Sequence, residues 1–262
     1  MSTKTTWRPL SVILIAVIVI AVGAWPPSGG AERKVGANVD SRVMVSFQVS
    51  DAALQSWIPA GWQIAPPAEG PSKGANLNLV FVENMLAHDP EGKPAGTGVN
   101  RVLALTVPAK NTTSSATGAF VIRIFAGDGG TPGTYKNSVP AQVRRERSTK
   151  GSNTDMPSGS ERWEIRDASG GTVQLRFDYQ GALPQRVKPE NNVYSSVEPS
   201  FYRIYRWDQG TDVVKSVPNG VDRTQNFQIK IAVAELGKLF DGSEKLVSVA
   251  LLPWYVREVS LP

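Results

Sequence analysis

His88 is the only imidazole in the chain, and there is no cysteine. Thiol catalysis, disulfides, Cys-based metal sites and any mechanism needing two histidines are thereby excluded. There is also no Gly-x-Gly-x-x-Gly, Walker loop, His-Glu-x-x-His or Gly-x-Ser-x-Gly elbow. A Ser-His-Asp triad would have to use His88, which sits in Ala87-His88-Asp89-Pro90-Glu91-Gly92, a run with the composition of an exposed turn. Gly127-Asp128-Gly129-Gly130-Thr131-Pro132-Gly133 can cradle an anion with its backbone N–H groups. It reads better as a flexible turn, because the strand–loop–helix setting of a phosphate loop is missing. Arg144-Arg145-Glu146-Arg147, with Lys150, is the densest basic run. It reads as a solvated strand end or as a contact for lipid headgroups or an acidic partner. In Tyr202-Arg203-Ile204-Tyr205-Arg206-Trp207 a strand sets Arg203, Tyr205 and Trp207 on one face and Tyr202, Ile204 and Arg206 on the other. A packed barrel strand with snorkelling arginines accounts for it better than a nucleic-acid platform. Asn111-Thr112-Thr113 is a glycosylation acceptor if the host modifies secreted asparagines.

The elements that must position these groups are mostly short strands. Val43–Val49, Leu77–Glu83, Val99–Val107, Ala119–Phe125, Glu161–Arg166, Thr172–Tyr179, Phe201–Trp207, Asn226–Val233 and Lys245–Leu251 alternate or run apolar between turn residues. Asp167-Ala168-Ser169-Gly170-Gly171 predicts a hairpin turn. Ser50 predicts the cap of a short helix from Asp51 to Trp57, stopped before Pro59. A second short helix is predicted from Ala234 to its stop at Gly242. Residues 148–160 read as a polar loop. About ten strands with two or three short helices imply a mainly β barrel or sandwich.

Ahead of these elements, Lys4 and Arg8 precede an uncharged apolar run from Leu10 to Ala24. Basic-then-apolar order predicts a signal peptide or membrane anchor over residues 1–25, with delivery of the rest outside the cytoplasm, periplasmic or extracellular. The run is shorter than the roughly 17–25 residues of a spanning helix unless Trp25 sits at an interface. Cleavage after Val22-Gly23-Ala24 is plausible. Losing Lys4 and Arg8 with the leader lowers the formal charge from +5 to +3, too mild to demand nucleic acid. Residues 26–39, rich in Pro and Gly, read as a linker to one domain at residues 40–262.

The order of several short motifs resembles the acetoacetate decarboxylase-like family. Asp51-Ala52-Ala53-Leu54 followed by Ile58-Pro59-Ala60-Gly61-Trp62 is similar to the family's opening, and Phe81-Val82-Glu83-Asn84 to its aromatic-x-Glu strand. Phe125-Ala126-Gly127 through Pro132-Gly133-Thr134-Tyr135-Lys136-Asn137 resembles the Gly-rich approach to its Schiff-base lysine, and Pro253-Trp254-Tyr255 its closing strand. The resemblance implies a closed, cone-shaped β barrel with an internal cavity. It implies a Lys136 amine that adds to a keto acid to form an imine, which accepts the electrons released as carbon dioxide leaves. The amine must then be neutral, which desolvation and a neighbouring cation bring about. Glu83 would be the cavity carboxylate and Arg42 the arginine that orients the substrate carboxylate. Where the family has two adjacent lysines, Lys136 stands between Tyr135 and Asn137, so aldol or dehydration chemistry is an alternative to decarboxylation. No cofactor or metal is implied. The expected partner is a small keto acid, or, in a barrel without turnover, an apolar carboxylate or lipid-like ligand at the cell envelope. A membrane partner enters through the N-terminal segment if it is uncleaved.

Overall fold

A computed structural model of the chain describes residues 32–96, 98–127 and 130–262. The apolar segment read as a signal or anchor lies outside the described residues, as do Asp128 and Gly129 of the glycine-rich turn. Among the described residues no helix is long and apolar enough to cross a membrane. The strands, in chain order, are β1 (Arg33–Gln48), β2 (Trp62–Ile64), β3 (Leu77–His88), β4 (Pro94–Ala95), β5 (Asn100–Asn111), β6 (Thr117–Ala126), β7 (Ser138–Lys150) and β8 (Ser158–Asp167). They continue as β9 (Thr172–Gln180), β10 (Gln185–Val187), β11 (Glu190–Ser195), β12 (Tyr202–Ser216), β13 (Val221–Asp222), β14 (Thr224–Ala232) and β15 (Lys245–Leu261). One short helix, α1 (Asp51–Gln55), follows β1, its first turn capped by Ser50 Oγ accepting from the Ala53 N–H at 3.4 Å.

Seven strands close on themselves in the order β6–β11–β12–β15–β1–β3–β5 and back to β6. All neighbours in this ring are antiparallel except β6 and β11, whose parallel seam sets Tyr194 opposite Phe120. Strands β7, β8, β9 and β14 form a second antiparallel sheet, attached to the barrel through a parallel β6–β7 pairing.

The pleat then divides the side chains of β1, β3 and β5 between two environments. Val43, Val45, Leu79, Phe81, Leu103 and Leu105 point out of the barrel and pack against Trp163, Ile165, Val173, Leu175 and Phe177 of the second sheet. The main core is therefore between barrel wall and second sheet. The alternate residues, such as Met44, Val80, Val82 and Val102, line the barrel interior, which holds a cavity. Strands covered on both faces read as apolar runs rather than as clean alternation, the pattern seen in Leu77–Val82.

Several elements differ from expectation in extent. Strand β1 starts at Arg33, inside the stretch read as linker, because Arg33 to Gln48 find partners along β15. Close approach to β3 on the other side needs Gly36, where a Cβ would lie 2.5 Å from the His88 carbonyl oxygen. The two ends of the polar stretch 148–160 are ladder, with Ser148 opposite Ser160 and Lys150 opposite Ser158, and residues 151–157 form the loop between them. The expected helix at Ala234 is a single 3₁₀ turn, Ala234–Leu236. The predicted hairpin at 167–171 forms, with the Asp167 N–H donating to the Gly171 carbonyl and Gly170 at a φ of 90°.

Candidate functional site

The barrel interior encloses a cavity of about 720 Å³. Part of its wall is aliphatic, from Val80, Val82, Val102, Ala104, Val121 and Val193, and part is polar, from Asn78, Asn84, Asn100, Thr106, Ser138 and Asn191. Three guanidinium groups also line it, Arg42 on β1, Arg203 on β12 and Arg257 on β15. Strand parity puts them inside: Arg42 shares a face with Met44, Arg203 shares one with Tyr205 and Trp207, and Arg257 pairs with Trp207 across the β12–β15 ladder.

Aromatic rings hold the arginines in place. The Arg42 guanidinium lies 4.0 Å from the Tyr255 ring centroid and 5.6 Å from that of Trp207, and its Nε donates to the Tyr255 hydroxyl. Arg257 sits 4.6 Å from the Tyr205 ring. The Tyr135 hydroxyl donates to that of Tyr205 at 2.7 Å. Asp40, fully buried, places a carboxylate oxygen 3.6 Å from the Arg257 guanidinium. Burial drives the Tyr135 and Tyr255 phenols well above their ordinary range, so both are neutral at physiological pH. Burial opposes the charge on Arg257, but the guanidinium stays protonated, with the Asp40 carboxylate as its charged neighbour at neutral pH.

The polar accounting inside the chamber is incomplete. Arg203 Nε, Arg257 Nε and Trp207 Nε1 are buried donors that find no acceptor, and neither Asp40 oxygen accepts a hydrogen bond of ordinary geometry. Buried donors without partners carry a desolvation cost of about 1–3 kcal/mol each, more when charged. Among the described residues no group of three or more His, Asp or Glu side chains is placed to hold a metal ion.

Arg42, expected to face the cavity, lines it. Glu83 sits on the opposite face of β3, because Asn78, Val80, Val82 and Asn84 take the inward positions. Its Oε1 accepts from Arg101 Nε at 2.7 Å and its Oε2 from Arg145 at 2.8 Å, and Arg145 in turn binds the buried Glu161 at 2.7 Å. Lys136 is exposed, in the left-handed region at a φ of 59°, between two buried neighbours. Tyr135 enters the cavity, and Asn137 Nδ2 donates to the Val121 carbonyl at 2.6 Å. The fold thus brings Arg42 together with Tyr135, Arg203 and Arg257 and separates it from Glu83 and Lys136. No lysine lines the cavity among the described residues. Asp40, Arg203, Tyr205 and Arg257 escaped the motif search, although alternation already placed Arg203, Tyr205 and Trp207 on one face. The missing information was which face of the strand is the inner one.

No protein-family model and no curated protein sequence matches the chain. Its backbone, however, is similar to solved structures. An acetoacetate decarboxylase-like enzyme from Sphingomonas wittichii RW1 superposes with a TM-score of 0.54 at 10% identity, over 92% of this chain and 97% of its own. The enduracididine biosynthesis enzyme MppR, complexed with pyruvate, gives 0.51 at 11% identity, over 87% of this chain and 88% of its own. The chain therefore has the acetoacetate decarboxylase-like fold.

Proposed function

We propose that the barrel binds a small organic acid, with the carboxylate on Arg42 and the hydrocarbon part against Val80, Val82 and Val102. The observation that carries this reading is that Arg42 lines a chamber of about 720 Å³ with no carboxylate partner among the described residues, beside the aliphatic Val80, Val82 and Val102 and the buried Nε atoms of Arg203 and Arg257 that find no acceptor. A guanidinium presents a forked pair of donors that matches a carboxylate, and low local dielectric strengthens the pairing. The pyruvate bound to MppR supports a keto acid as one candidate ligand and keeps open a second reading, an imine-forming enzyme. That reading needs an amine in the chamber, and Lys136 is exposed outside it. Delivery beyond the cytoplasm, and membrane attachment through residues 10–25, belong to the same proposal and rest on the basic-then-apolar order of the N-terminal sequence.

The test is calorimetric titration of the purified protein with pyruvate, 2-oxooctanoate and octanoate, paired with borohydride reduction and intact-mass measurement. Binding weakened about tenfold or more in Arg42→Gln, with no borohydride-stable adduct, supports the binding barrel. An adduct absent from Lys136→Ala would instead establish imine chemistry at that residue.

A further inference from the structure

Resting on the organic-acid reading, we propose that the ligand is a dianion, a dicarboxylic acid that spans the chamber with one carboxylate on Arg42 and the other on Arg203. The argument is one of charge and register. Three guanidiniums line the chamber, and the one carboxylate found beside them among the described residues is Asp40, which stands against Arg257. Among the described residues Arg42 has only the Tyr255 hydroxyl and the faces of two rings. Arg203 has no ion-pair partner among the described residues, and its Nε is buried without an acceptor. Two guanidiniums of the chamber are thus left without a carboxylate partner, and an unpaired charge away from bulk water is costly. A monocarboxylate neutralises one of them; a dicarboxylate neutralises both.

The two free cations also sit at different levels of the barrel. Arg42 lies at the level of Trp207, whose ring it approaches at 5.6 Å. Arg203 is four residues away along the same face of β12, about 13 Å of strand at about 3.3 Å per residue. The Tyr135–Tyr205 hydrogen bond occupies the level between, and Arg257, in register with Trp207, reaches toward it over the Tyr205 ring. Cations rooted this far apart on the wall suit two separate carboxylates at the ends of a hydrocarbon chain, with the chain against Val80, Val82 and Val102.

The experiment compares octanoate with octanedioate, which differ only by the second carboxylate, titrated into the purified protein at fixed pH and ionic strength. The proposal expects octanedioate to bind at least about tenfold more tightly. In Arg203→Gln that advantage falls to about onefold; Arg203→Lys, which keeps the charge, retains part of the advantage. Equal affinities in the unsubstituted protein overturn the dianion inference and leave the organic-acid reading standing. An advantage that survives in Arg203→Gln overturns the assignment of Arg203. Binding of neither acid removes the organic-acid reading, and this inference with it. If Arg203→Gln does not fold, the matched acids on the unsubstituted protein and on Arg203→Lys still decide.

Discussion

Arg144 and Arg145 are adjacent in sequence and opposite in environment. The pleat turns Arg144 to solvent and Arg145 inward, where it is 4% exposed, with its guanidinium 5.0 Å from the Trp163 ring. There it joins Glu83 of the barrel to Glu161 of the second sheet, which is 1% exposed. The run of basic residues is thus not one patch, and Glu83 works as a tie between sheets. Removing one member of a buried pair leaves its partner charged and dry, so Arg145→Met should lower unfolding free energy by about 3–5 kcal/mol in urea titration. Arg186 makes an equally short contact to Asp208, 2.6 Å, but is 64% exposed. Its replacement by Ala should cost no more than about 1 kcal/mol, since solvent screens the pair. Equal losses at the two sites would refute the tie between sheets.

At the scale of elements, barrel closure depends on the short parallel seam of β6 and β11. Gly118 on β6 approaches it so closely that a Cβ would lie 2.3 Å from the Asn192 carbonyl oxygen and 2.6 Å from the Tyr194 ring. Gly118→Ala must push the seam apart, with an expected loss of about 1–3 kcal/mol or more in urea unfolding and weaker organic-acid binding. Gly127, with open space around its Cβ position and no left-handed backbone, is the matched control and should tolerate Ala. Strand cores were legible in sequence because alternation and β-branched runs mark them. Strand extents were less so: β1 gains its first residues and β12 its last, Asp208–Ser216, by pairing with β15, a remote segment. Strands β10 and β11 carry little hydrophobic pattern and exist because β12 and β6 offer them partners.

The whole molecule should be sensitive to alkali. Tyr135 and Tyr255 have phenol pKa values raised above the ordinary value of 10, chiefly by burial. An unfolded chain loses these protons near pH 10 while the folded one keeps them. The unfolded state then binds fewer protons, and stability falls as pH climbs above about 10; below that the contribution is fully present. Tyr135→Phe should flatten the fall between pH 10 and 11 in urea titrations taken across pH. An unchanged slope would remove Tyr135 from that account. Ligand acts in the opposite sense: an organic acid at about 100 times its Kd should add about 2.7 kcal/mol to unfolding free energy, read as a rise in Tm.

Residue types and their local spacing determined the classes of chemistry this chain lacks, its β character, the α1 cap, the 167–171 hairpin and the placement of Arg203, Tyr205 and Trp207 on one face. These are properties of segments a few residues long, governed by local sterics and side-chain alternation. Closure of the ring decided the rest. It made one face of β1, β3 and β5 the wall of a cavity and the other the floor of the main core. Arg42 and Glu83, on neighbouring strands of the same wall, were thereby sent to opposite sides, and Lys136 was left outside while Tyr135 was drawn in. The gathering of Arg42, Arg203, Arg257 and Asp40 depends on pairings between residues as far apart as Asp40 and Tyr255, which no local spacing encodes.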